Sequence, residues 1–163
     1  MVATIPVPIQ FSLPEGWRSV PPDEVNAAEA AFVALRPPPV EGFTANITIS
    51  GELREDDVPL PRIADEAVEK LRTGARDVEL GRRNEVGSTA NPGLTQAVRM
   101  TVDLHGTPTE IGQFQVFLAM RDTEHKDRRA VLHIVLSALP EQFDNLLEEF
   151  QQFVSTIRPE GAS

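Results

Sequence analysis

Apolar and polar residues alternate along much of the chain. Ile9, Phe11 and Leu13 alternate with Pro8, Gln10 and Ser12, the period of a strand with one buried face. Pro14-Glu15-Gly16 follows as turn chemistry, because proline presets φ and glycine permits a positive φ. Trp17 then begins a second short extended piece and sits as a core anchor at the foot of the sheet. Residues 28–36 fit strand or helix, and we read Ala31 to Leu35 as strand. The RPPPVEG stretch, 36–42, reads as a loop that its prolines keep out of helix or central strand. Phe43, Ala45, Ile47 and Ile49 alternate with Thr44, Asn46, Thr48 and Ser50, which predicts a strand.

An acidic, proline-containing loop is expected over 54–61, then a helix over 62–72. Ile63, Ala67, Val68 and Leu71 share one side of that helix, and Gly74 stands where a C′ glycine would. Four strand-like runs come next. Val78 to Val86 is the first. In 94–104, Leu94, Gln96, Val98, Met100, Val102 and Leu104 oppose Thr95, Ala97, Arg99, Thr101 and Asp103. In 111–121, Phe114, Val116, Leu118 and Met120 oppose Gln115, Phe117, Ala119 and Arg121. In 129–138, Leu132, Ile134 and Leu136 oppose Val131, His133 and Val135. The short polar connections HGTP (105–108) and DTEHKD (122–127) read as hairpin loops, so these strands run antiparallel. After Pro140, the residues Phe143, Leu146, Leu147, Phe150, Phe153, Val154 and Ile157 form a broad apolar helical stripe. Such a stripe packs on a sheet. The fold class is therefore α+β, a single-domain αβα sandwich over residues 1–158 with a frayed tail, 159–163.

Composition narrows the function. The chain has 163 residues and no cysteine, which excludes disulfides, thiolate metal sites and a cysteine nucleophile. MVATIPVPIQF has no basic n-region, so the expected location is cytoplasmic, and no run approaches a membrane span. The net charge of −10, without a basic stripe, argues against nucleic acid.

Candidate chemistry is sparse. His105 and His125 fall in hairpin loops, and His133 lies on a strand between Val131 and Val135. Ser137 follows on the same side of that strand, but no orienting carboxylate accompanies the two. There is no nucleophile elbow, no phosphate-cradling glycine loop and no zinc spacing. Glu52, Glu55, Asp56 and Asp57 lack the pattern of a calcium loop and read as a solvated stretch. No catalytic residue, metal or cofactor is expected.

One mixed strand face remains, carrying Asn46, Ala97, Arg99, Asp103, Phe117, Ala119, Arg121 and His133. Small residues between arginines and an aromatic make a docking surface, with Arg99, Arg121, Phe117 and His133 as partner-binding candidates. The competing reading is a face partly covered by the first helix.

The order of elements, with Ile9-Gln10-Phe11-Ser12-Leu13-Pro14-Glu15-Gly16-Trp17, Asn46-Ile47-Thr48-Ile49 and the closing FQQFVSTIR (Phe150 to Arg158), resembles the Mog1/PsbP-like fold. More narrowly it resembles the bacterial DUF1795 (DcrB-like) proteins and actinobacterial LpqN-type lipoproteins. That resemblance implies an αβα sandwich without a general catalytic site, acting as a binding module. It transfers no functional residue by motif. Two functions follow for testing. One is a non-enzymatic protein-binding module, chaperone-like or secretion-associated, with an unidentified protein partner or a second copy of the chain. The other is a small-ligand binder or hydrolase with a pocket between sheet and helix.

Overall fold

The computed structural model describes residues 9–25, 30–88, 91–121 and 127–159. Its strands are β1 (Ile9–Gln10), β2 (Arg18–Val20), β3 (Phe32–Val40), β4 (Phe43–Glu55), β5 (Arg76–Gly87), β6 (Pro92–Leu104), β7 (Thr107–Arg121), β8 (Arg128–Ala138) and β9 (Arg158–Pro159). The helices are α1 (Leu60–Arg72) and α2 (Pro140–Ser155). Seven strands form one antiparallel sheet in the order β2-β3-β4-β8-β7-β6-β5, while β1 pairs only with β9. The αβα sandwich and its antiparallel meander are thus as the alternation predicts. Among the described residues, no helix is long and apolar enough to cross a membrane.

The two helices take opposite faces because β8 is apolar on both. Leu132, Ile134 and Leu136 join Ile47, Ile49, Phe150 and Phe153 in one core under α2. Val131 points the other way and joins Phe117, Ala119, Leu60 and Ile63 under α1. Pro140 starts α2 where its missing N–H costs nothing, and the Gln142 side chain accepts a hydrogen bond from Leu139 N–H at 2.8 Å.

Several boundaries differ from the sequence reading. β3 continues through Pro37–Pro39 instead of ending in a loop at Arg36. Beyond Leu35 its β2 neighbour has ended, and its register on β4 shifts between Arg36 and Val40. The prolines therefore lie on an open edge, where no ladder donor is needed. β4 runs on to Glu55 because β8 pairs with it that far, so the acidic loop shrinks to residues 56–59. α1 starts earlier than expected, at Leu60. Pro159, read as the start of the tail, pairs with Ile9, and residues 160–163 lie outside the described residues.

The opening stretch serves as a clasp. Pro14 C=O accepts from Trp17 N–H, and Gly16, with φ +94°, turns the chain. A Cβ at Gly16 would stand 2.8 Å from the Arg36 guanidinium carbon, so the turn packs closely against that side chain. Phe11 meets Phe153 edge to face at 5.3 Å, and Ser12 N–H donates to Thr156 Oγ1. Trp17 is 8% exposed, and its indole N–H donates to Glu149 Oε1 at 2.8 Å. Trp17→Ala should cost about 3–5 kcal/mol, as truncation of a large core aromatic does. Trp17→Phe keeps most of the ring but leaves Glu149 without that donor, and should cost about 1–3 kcal/mol. Urea unfolding measures both. A melting temperature for Trp17→Ala within two or three degrees of the wild type would remove the anchor role.

Candidate functional site

α1 packs over β5, β6 and β7. On the same face β4 and β8 are left less covered, and the sheet and helix enclose a cleft of about 1140 Å³. Cross-strand register aligns its floor. Asn46, Ser137 and Gln113 stand side by side on β4, β8 and β7, and Ser50, His133 and Phe117 form another such row. Ile63, Ala67 and Lys70 of α1 supply the wall. The floor is rich in hydroxyl, amide and imidazole groups, and Asp23, Glu52 and Glu66 are the carboxylates of the lining among the described residues.

A hydrogen-bonded chain runs beneath α1. Arg83 Nε donates to Gln96 Oε1, Gln96 Nε2 to Gln115 Oε1, Gln115 Nε2 to Gln113 Oε1, and Gln113 Nε2 to Ser137 Oγ. Gln96 and Gln115 are fully buried, so each amide needs these partners. Gln96 Nε2 also donates to the Ala64 carbonyl, 3.2 Å away, which ties the middle of α1 to the sheet. Sequence reasoning assigned Gln96 to an apolar face without asking what would satisfy its amide. A glutamine between Leu94 and Val98 was the available sign of a buried polar network.

His133 lies flat on Phe117, with ring centroids 4.4 Å apart and planes 9° from parallel. Part of the residue faces the cleft, but its Nε2 is sealed from solvent and has no partner among the described residues. Burial, then the nearby Lys70 charge, pushes its pKa down to about 4. The imidazole is therefore neutral at physiological pH.

The structure separates the residues that the sequence reading grouped on one mixed face. Leu94 pairs with Phe117, so the apolar side of β6 shares a face with Gln115, Phe117, Ala119 and Arg121 of β7. Phe117, Ala119, Arg121, His133 and Asn46 lie on the α1 side, whereas Ala97, Arg99 and Asp103 lie on the α2 side. Arg99 and Arg121 thus cannot contribute to one surface. Phe117 is 1% exposed and belongs to the core under α1, which corrects its assignment as a docking residue. Arg99 hydrogen-bonds Glu79 and pairs with Glu110, and the Glu79 bond above all raises its pKa. Arg121 is exposed at the α1 end of β7. His105 and Gly106 both have positive φ and make the tight β6–β7 turn. His125 lies outside the described residues. Glu52 is engaged by Arg54 at 3.0 Å.

The buried histidine gives stability a pH dependence. Its folded pKa lies below the unfolded value, so nothing is lost above about pH 6.5. As pH falls from there toward 4, the unfolded chain takes up a proton that the folded one refuses, and stability drops by up to about 3 kcal/mol. His133→Gln should flatten that decline between pH 7 and 4.5. Urea midpoints of both proteins across the range measure it, and parallel curves would contradict the assignment.

No family model and no curated protein sequence matches the chain. Solved structures do. LpqN of Mycobacterium tuberculosis, involved in cell envelope biogenesis, superposes with a TM-score of 0.63 at 12% identity, over 91% of this chain and 81% of that one. The Saccharomyces cerevisiae Ran-binding protein Mog1p gives 0.58 at 15% identity, over 93% and 89%. Cyanobacterial PsbP from Synechocystis gives 0.51 at 13%, over 93% and 86%. The likeness at these identities is one of architecture: the chain has the Mog1/PsbP-like fold.

Proposed function

We propose that the protein is a non-enzymatic binding module whose cleft between α1 and the β4–β8 strands receives a segment of a partner protein. The carrying observation is the cleft itself. At about 1140 Å³ it is larger than the roughly 300–1,000 Å³ typical of small-molecule pockets. Its floor offers neutral hydrogen-bonding groups from Asn46, Thr48, Ser50, Gln113 and Ser137. Such groups suit peptide amides, which need donors and acceptors but no countercharge. The Ran-binding and cell-envelope roles of two proteins of this fold agree with an accessory, partner-dependent function. Of the sequence-derived candidates, His133 lines this cleft, and Arg121 lies on the same sheet face beyond the lining.

A second reading has its own support. The hydroxyl and amide groups of Asn46, Ser50 and Gln113 in the cleft lining would also suit a small polar ligand. Native mass spectrometry of the purified protein would reveal a retained molecule.

Ser50→Trp and Ala67→Trp fill the cleft from its floor and its wall. Each should abolish capture of the partner from native lysate, identified by mass spectrometry, while Arg99→Glu on the opposite face leaves it intact. Undiminished capture by both tryptophan variants, with folding confirmed by circular dichroism, would overturn the cleft as the docking site.

A further inference from the structure

Register places three arginines in a row at the α1 end of the cleft. Arg54 of β4 pairs across to Arg129 of β8, and Arg129 pairs across to Arg121 of β7. Like charges directly opposite on neighbouring strands repel. Arg54 is neutralised: its guanidinium binds Glu66 in two-pronged fashion at 2.8 and 3.0 Å and Glu52 at 3.0 Å. Those bonds, Glu66 first, raise the Arg54 pKa, and the same contact lowers that of Glu66. Glu66 also serves Arg62 at 3.9 Å, so both carboxylates on this part of the face are already engaged.

Among the described residues, Arg129 and Arg121 have no such partner. Arg129 donates an Nη2 hydrogen to the neutral Val58 carbonyl at 2.6 Å, and its Nε is buried without an acceptor. Among the described residues, Arg121 makes no hydrogen bond or ion pair. Val58 precedes the first turn of α1, so the positive end of the helix dipole points into the same place. That turn has no acidic residue, and its N-cap Pro59 contributes no side-chain bond. Asp56, Asp57 and Asp127 lie in the turns at the strand tips, and Glu55 pairs across to Arg128 on the opposite face. Among the described residues, positive charge therefore gathers at Arg121 and Arg129 without a paired carboxylate, in a chain of net charge −10.

We propose that Arg121 and Arg129 receive carboxylates from an acidic polypeptide segment of the protein partner. This rests on the cleft reading above, since the two arginines stand at one end of that cleft. Arginine's planar fork binds a carboxylate through two parallel hydrogen bonds, and an incoming carboxylate would relieve the repulsion across β7 and β8.

A fluorescein-labelled deca-glutamate peptide is the probe, titrated by anisotropy at low ionic strength. The wild type should bind it, with affinity falling as salt rises. Arg121→Glu should weaken binding roughly tenfold or more, as reversal of a contacting charge does, while Arg99→Glu leaves it unchanged. No binding by the wild type, or equal loss in both variants, would overturn the proposal. Displacement of the peptide by an equal concentration of inorganic phosphate would also overturn it, because the site would then select a small oxyanion. A second readout needs no ligand. Arg121→Gln should raise the melting temperature at low salt and lose that gain at high salt, and a fall at low salt would contradict the uncompensated repulsion. Ser50→Trp separates the two ideas. Normal deca-glutamate binding by that variant would leave the arginine site standing and remove the cleft as its continuation.

Discussion

The pairing of β4 with β8 is the constraint on which the rest of the structure depends. It joins residues 46–55 to residues 128–137 and so welds two halves that are otherwise built from sequence neighbours. Nothing local holds this seam, so long-range packing must repay its loop-closure entropy. β8 can do that because both its faces are apolar and buried, one under α2 and the other toward α1. The same register decides which polar groups meet. A slip of β4 by one residue against β8 would send Ser50 to the α2 core and Ile49 to the cleft. The cleft floor and the arginine row are therefore consequences of the seam, with no separate element devoted to them.

The α2 side is closed by aromatic packing and by the clasp at the start of the chain. Phe150 and Phe153 are fully buried, and Phe11 wedges between Phe32 and Phe153 in two edge-to-face contacts. Glu149 accepts from both Trp17 and Arg36, which links three elements through one carboxylate. With its core filled and its periphery pinned, this side contributes stability. The α1 side is built differently. Its interior carries Gln96, Gln115 and Ser137 under the helix, and the cost of burying those amides is offset only because every link of their chain is bonded. A polar layer that positions α1 at a fixed offset from β4 and β8 also keeps the cleft from collapsing.

The sequence made the fold legible wherever burial has a period. The alternation in residues 94–104 and the α2 stripe specified strand and helix nearly at their observed limits, and that in 43–49 specified the first half of β4. The proline run failed for a topological reason. Prolines exclude a central strand, but Pro37–Pro39 lie past the end of β2, and whether an edge is open is not a local property of sequence. The site failed for a reason of register. Alternation says which residues of one strand share a face, but not which face of the next strand they adjoin. Arg99 and Arg121 looked equivalent within their strands, and the Leu94–Phe117 pairing sends them to opposite sides. His133 was legible as a partly buried strand histidine, but its stacking on Phe117 and its sealed Nε2 depend on a neighbour that only pairing supplies.

The edges of the sheet bear on the proposed recognition by a face. β5 is long and forms one edge, a shape that invites strand addition. Its register shifts twice, between Arg76 and Glu79 and between Leu80 and Arg83, and it carries charge along its length. Bulges and charged side chains are the devices by which proteins blunt a pairing edge. The other edge, β2, is three residues long and offers little to pair with. With both edges unsuited to main-chain pairing, the proposed partner segment would be read by side chains. The helix-flanked floor of β4 and β8 is where hydroxyl and amide groups line a cleft, and the arginine row of β7 and β8 lies beyond it on the same face.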